Sequence, residues 1–234
     1  MKSINKFFLE SYPNNPFDVV LKNKYYPQGI REIDIYSYYI QSQKKILDWI
    51  DGRTVAFRIR LDEKTSVIRR KIDGSPIKLT PANFESIIHG RINSIYVEQP
   101  IMTDYFVIDI DPGAGLGRKD SLKIEKTCRK ILSDNMDVKR FESISSSSIG
   151  IHLLGYMPRK YNVSRLKLDI KTILTNNIND QKVLIDFSKG RMAGAINLDL
   201  GSMARNQLHV SRYSLNKDFL VVDTIDRGLI KIWK

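Results

Sequence analysis

The chain has 234 residues, 42% of them hydrophobic, and a net charge of +12 from 38 Lys plus Arg against 26 Asp plus Glu. Such a length and apolar content suit one large domain, or two small lobes with a real core. No apolar run approaches the roughly 18 residues of a membrane helix. The start, Met1 to Glu10, has too short an apolar core for a secretory signal, so an intracellular (cytoplasmic) protein is expected. One cysteine, Cys128, excludes an internal disulfide and a cysteine-based zinc site. The positive field favours polyanions, with nucleic acid ahead of an anionic membrane because no basic amphipathic anchor stands out.

In chain order, Ile33, Tyr36, Ile40, Ile46 or Leu47, and Ile50 recur near helical spacing, and Gly52 follows, which predicts a helix over 33–50. Strands are expected near 54–60 and 65–72, the second running into an Asp73-Gly74 turn. Thr80-Pro81 predicts a capped helix reaching about His89. A strand around 94–97 and another ending at Asp109–Asp111 come next. Asp120 is placed to cap a helix with Ile124, Cys128, Ile131 and Leu132 on one face, the last a core position for the cysteine. A strand at 139–144, a serine run, a short strand from Ile151 and a helix over 163–177 follow. Further strands are expected near 182–187, 195–200, 208–213, 219–223 and 229–233. The middle reads β-α-β-β-α-β, a split β-α-β unit. No linker separates the halves, so the expectation is an α+β chain of two lobes, 1–98 and 99–234, packed as one catalytic domain around a cleft.

Three motifs carry chemistry. Tyr105-Phe106-Val107-Ile108 is an apolar strand leading to Asp109-Ile110-Asp111 and then Pro112-Gly113. Strand periodicity puts both carboxylates on one face, about 6.6 Å apart along the strand. Like charges held so close need a cation, and carboxylate oxygens suit Mg²⁺ or Mn²⁺. Phosphoryl-transfer sites with two such ions use a carboxylate pair of this kind, usually with a third nearby. The second motif, Ser146-Ser147-Ser148-Ile149-Gly150-Ile151-His152, is a tight turn rich in hydroxyls and backbone N–H groups, suited to an anion. The bland alternative is a serine linker beside a core histidine. The third is Asn197-Leu198-Asp199, whose strand pairs beside the Asp109 strand in a split β-α-β sheet; Asp186 competes for the same job, and spacing does not choose. On the early strands Arg58 and Arg60 alternate, as do Arg69 and Lys71, a pattern that serves either a phosphate backbone or a solvated edge.

These motifs, in this order, resemble the archaeo-eukaryotic primase (primase-polymerase) superfamily, and within it the polymerase domain of bacterial ligase D. Tyr25 to Ile30 with Asp34 and Tyr38-Tyr39 is similar to the opening of that family, and Leu47 to Arg53 to its helix end. Tyr105 to Gly113 resembles its hydrophobic-Asp-x-Asp-Pro-Gly strand, and Ser146 to His152 its Ser-Gly-x-x-Gly-x-His turn, with Ser147 in place of glycine. Lys189 to Asp199, with Arg191 and Gly194, resembles the approach to a third aspartate. Tyr213-Ser214-Leu215 then begins 14 residues beyond Asp199, which favours Asp199 over Asp186. The likeness spans about residues 24–225.

The resemblance implies a template-dependent nucleotidyltransferase, a primase or polymerase. Asp109, Asp111 and Asp199 would be the catalytic metal ligands for two Mg²⁺ or Mn²⁺ ions, with no zinc. Ser146, Ser148 and His152 would contact the triphosphate of the incoming nucleotide. Asn216 stands where the family has a basic residue, which turns attention to Arg212 and Lys217. Arg58, Arg60, Arg69 and Lys71 would meet nucleic acid. Expected partners are nucleoside triphosphates, template and primer DNA or DNA ends, and a helicase, ligase or primase large subunit in trans. A binding-only accessory subunit and a metal-dependent nuclease are the rival readings.

Overall fold

The computed structural model describes residues 30, 32–61, 65–89, 91–145, 149–186, 192–204, 206–215, 220–223 and 230–231. These divide into two units. One holds the described residues up to Glu98, those of Val210–Val222, and Ile230–Lys231; the other runs from Gln99 to His209 and includes Asp223. The tail from Val210 therefore belongs with the N-terminal half, and not with everything beyond residue 98. Its attachment is polar and specific: Ser211 N–H donates to Ile95 O at 2.8 Å, and Ile95 N–H donates to Ser214 Oγ at 2.6 Å.

In the first unit, α1 (Glu32–Ile50) is the expected helix, but its buried stripe is Ile35, Tyr39, Ile46 and Ile50, while Ile33, Tyr36, Ile40 and Leu47 are half-buried beside it. Its last carbonyls, of Trp49 and Ile50, accept from the Arg53 guanidinium, which suits the negative end of the helix. Strand β1 (Thr54–Arg60) pairs antiparallel with β2 (Ser66–Arg69). The hairpin of β3 (Lys71–Ile72) and β4 (Ser75–Lys78) turns at Asp73-Gly74, both with positive φ (49° and 78°), and lays β4 beside β1. After the short α2 (Phe84–Ile87), β5 (Ile92–Glu98) also pairs antiparallel with β1. Val55, Phe57 and Ile59 alternate into the core against the α1 stripe.

The helix expected from Thr80 shrinks to four residues. Asn83 Oδ1 accepts from Thr80 N–H at 2.8 Å and its amide donates to Lys78 O at 2.9 Å, so this side chain holds residues 80–83 as a turn.

The second unit is built on β6 (Met102–Pro112). After α3 (Arg118–Asn135) come β7 (Arg140–Ser145), β8 (Ile151–Asn162), α4 (Val163–Asn177), β9 (Val183–Ile185) and β10 (Ile196–Asp199). The sheet order is β7-β8-β6-β10-β9, which is the split β-α-β arrangement with β9 added at one edge. Phe106, Ile108 and Ile110 point to one face and pack against Ile124, Cys128 and Leu132 of α3 and Leu166, Ile170 and Leu174 of α4. Burial pushes the Cys128 thiol up to about 12, as befits an inert core residue. Asn162 caps α4 by accepting from the N–H groups of Ser164 and Arg165. Among the described residues, no helix is long and apolar enough to cross a membrane.

Candidate active site

With the even-numbered β6 residues facing the helices, Tyr105, Val107, Asp109 and Asp111 face the other way. Antiparallel register then fixes what stands beside them. Asp109 lies directly opposite Asp199 of β10 on one side and His152 of β8 on the other; Asp111 lies opposite Asn197. Directly opposed residues share a face, with Cα atoms about 4.5–5.5 Å apart. Three carboxylates, an amide and an imidazole thus meet at one end of one sheet face, all within the second unit.

Asp186 is sent elsewhere. It follows β9 with a positive φ of 54° and its carboxylate lies 3.1 Å from Lys167 Nζ and 3.2 Å from Lys171 Nζ of α4. Burial opposes its charge, but the two ammonium groups outweigh burial and hold its pKa below the usual carboxylate range. Asp186 thus pairs with α4, on the helical side of the sheet, and not with β6.

Local features hold the acids in place. Gly113 N–H donates to Ala195 O at 2.7 Å, knitting the end of β6 to the entry of β10. A Cβ at Gly113 would sit 1.9 Å from Met192 O, so only glycine permits that approach. At the far end of β10, Gly201 N–H donates to Asp199 Oδ1 at 2.6 Å, and a Cβ there would lie 2.8 Å from the same oxygen.

His152 is buried, with Nε2 3.3 Å from Asp109 Oδ1. Burial disfavours its charge, yet Asp109, with Asp111 and Asp199 adding to it, raises its pKa above the ordinary value. Its Nδ1 is buried without a hydrogen-bond partner. Two oxygens are in the same condition: Asp109 Oδ1, which has no aligned donor, and Asn197 Oδ1. Buried acceptors left unpaired on a face with three acids are what a hard cation would satisfy. Asp109, Asp111 and Asp199 are the side chains that could hold one, with Asn197 adjacent. Among the described residues, no three His, Cys, Asp or Glu side chains already stand together as a ready-made cage. Asp199 Oδ1 is held by Gly201 N–H.

The remaining expected residues are distributed otherwise. Ser146, Ser147, Ser148, Asn216 and Lys217, with Lys189, Arg191 and the Tyr25–Gly29 motif, lie outside the described residues. Arg212 stacks on Tyr213, its guanidinium carbon 4.8 Å from the ring centroid, and belongs to the first unit. Arg58 and Arg60 share the non-core face of β1, and Arg58 lies over the Tyr96 ring at 5.6 Å. Arg69 is opposite Phe57 in register and so faces the other way, while Lys71 begins a separate strand. Arg58 and Arg60 thus share a face as expected, whereas Arg69 and Lys71 fall on separate strands because β2 ends before Arg70. Asn197 was named in the third motif without a role of its own, although its spacing of two from Asp199 on one strand puts both on one face, and Gly201 was not singled out from sequence.

Comparison of the sequence with protein-family models and with curated proteins finds no match. The structure is more informative. It is similar to the polymerase domain from Mycobacterium tuberculosis ligase D, solved in complex with DNA, with a TM-score of 0.75 over 91% of this chain and 90% of that one. The chain has a primase-polymerase fold. Sequence identity over the match is 15%, so this fold is shared with very little of the sequence that encodes it. The α+β architecture anticipated from the β-α-β-β-α-β order is the one found.

Proposed function

We propose that this protein is a template-dependent nucleotidyltransferase of primase-polymerase type, which adds nucleotides to a 3′-hydroxyl. The observation that carries the reading is the register: Asp109 stands between Asp199 and His152, with Asp111 two residues on. The fold it shares with a polymerase domain, and a net charge of +12 suited to polyanions, support it.

Asp109, Asp111 and Asp199 would hold two Mg²⁺ or Mn²⁺ ions. Such ions lower the pKa of an attacking hydroxyl and neutralise charge on a triphosphate and its pyrophosphate leaving group. The protein's own residues would do the rest. Gly201 N–H aims the Asp199 carboxylate. His152 would keep Nε2 toward Asp109, whose charge favours the imidazolium, and its buried Nδ1, which has no hydrogen-bond partner, would meet a phosphate oxygen. The serine turn Ser146–Ser148 would add donors for the same phosphates, as would Arg212 or Lys217. Arg58 and Arg60, with Arg69 and Lys71, would meet the nucleic-acid backbone. Substrates would be nucleoside triphosphates and a primed template or DNA ends, with helicase, ligase or primase-subunit functions supplied by partners.

The test is primer extension with labelled nucleotides, a primed template and Mn²⁺. Wild-type protein is expected to lengthen the primer. Asp109→Ala and Asp199→Ala should each lose at least about 10²-fold in rate while still binding DNA, and Asp186→Asn should retain activity. Binding without extension under any metal or nucleotide condition would favour an accessory subunit, and shortened primer a nuclease.

A further inference from the structure

Antiparallel pairing carries the face of the acids across the sheet to its β7 edge. Asp109 lies opposite His152, and His152 opposite Ile144; four residues back along β6, Tyr105 lies opposite Tyr156, and Tyr156 opposite Arg140. Arg140 and Tyr156 therefore share the face of Asp109, in a row about 13 Å from it along the strands at 3.3 Å per residue. The Arg140 guanidinium carbon lies over the Tyr156 ring, 4.2 Å from its centroid. Glu142, two residues along β7 and on the same face, holds both partners. Its Oε2 accepts from the Tyr156 hydroxyl at 2.8 Å, and its Oε1 is 3.6 Å from Arg140 Nη1. The Arg140 side chain is nonetheless 60% exposed, so one side of its plane meets the ring and the other meets water.

A guanidinium held in this way suits a nucleobase, since arginine planes and aromatic rings both stack on unpaired bases. Its charge is partly offset by Glu142, which favours stacking over gripping a phosphate. Lys139, Arg159 and Lys160 are exposed at the same end of the sheet, against Asp137 and Glu142, and give the connecting backbone a positive field. Duplex bases are already stacked on their neighbours, so the occupant is an unpaired base. In a primed template, the unpaired bases are those of the template overhang. We propose that Arg140, held over Tyr156 by Glu142, is a stacking platform for an unpaired base of the template strand, a few nucleotides from the reacting end. This rests on the nucleotidyltransferase reading for the identity of the strand, and adds to it a base contact away from the acids.

The experiment measures, by fluorescence anisotropy and without nucleotide, the binding of a primed template whose overhang carries one abasic residue at successive positions. In wild type, removing the base at one position a few nucleotides from the primer end should cost about tenfold in affinity. Arg140→Ala should lose about tenfold on the intact overhang and nothing further at that position. Arg140→Lys keeps the charge but not the plane, so it should behave like Arg140→Ala. Wild-type affinity in Arg140→Lys would show a charge contact only and overturn the proposal. A wild-type scan in which no position matters would overturn it too, and that scan needs no substituted protein to fold. So would a position that still matters in Arg140→Ala. Extension is read separately. If Arg140-dependent recognition of the base occurs in a protein that never lengthens a primer, the platform stands and the polymerising reading falls; extension with equal affinity at every abasic position does the reverse.

Discussion

At the residue scale, the arrangement depends on which way each carboxylate is turned. Asp199 and Asp186 both end short strands of one sheet, yet one faces Asp109 and the other two lysines. Register places Asp199 beside Asp109, and Gly201 holds its carboxylate there by donating to Oδ1 and by lacking a Cβ. Its substitution is therefore informative. Gly201→Ala would put a methyl group against a carboxylate that can rotate away, so the fold should lose under about 1 kcal/mol. Catalysis should suffer more, falling about tenfold in kcat, because the carboxylate no longer points where the register places it. Thermal melting and steady-state extension check the pair; an unaltered kcat would show that Asp199 needs no such guide. None of this was readable beforehand. A glycine two residues past an aspartate is common, and only the backbone donor identifies its use.

At the element scale, Asp186 gives a pH-dependent signature of the α4–β9 junction. Its folded pKa is depressed by Lys167 and Lys171, so its stabilising contribution is present above the ordinary value of 3.8. That contribution is lost as pH falls through the lower folded value. Asp186→Asn should accordingly lower the melting temperature at neutral pH and converge with wild type in acid. The contribution is that of a partly exposed pair and is modest. A constant difference across pH would mean that shape, not charge, is what the asparagine disturbs. Elements with strong local signals were legible in the sequence: α4 occupies 163–177 as expected because its apolar residues recur at helical spacing. The Asp73-Gly74 turn was legible too, although the strand after it was not, since Ser75-Pro76-Ile77-Lys78 reads as loop. Likewise β8 was expected to be a short strand from Ile151. Instead the strand continues past an irregularity in register and pairs Tyr161 and Asn162 with Thr103 and Met102.

At the scale of the whole molecule, what sequence supplied was order, and what it lacked was register. The β-α-β-β-α-β sequence of elements is local information and implied the split β-α-β sheet, whereas the primase-polymerase fold, matched at a TM-score of 0.75, was implied by the resemblance of the motifs. The return of the Val210 tail to the first unit is non-local; it depends on Ser211 and Ser214 meeting Ile95, which no periodicity announces. The choice between Asp186 and Asp199 was of the same kind, decided by a resemblance in spacing before any strand pairing was known. The central claim is that Asp109, Asp111 and Asp199 act together on divalent cations. Anomalous diffraction from crystals grown with Mn²⁺ and a non-hydrolysable nucleoside triphosphate tests it most directly. The account predicts manganese bound by oxygens of Asp109, Asp111 and Asp199, with the phosphates against His152. Manganese bound elsewhere, with these three carboxylates empty beside an ordered triphosphate, would contradict it.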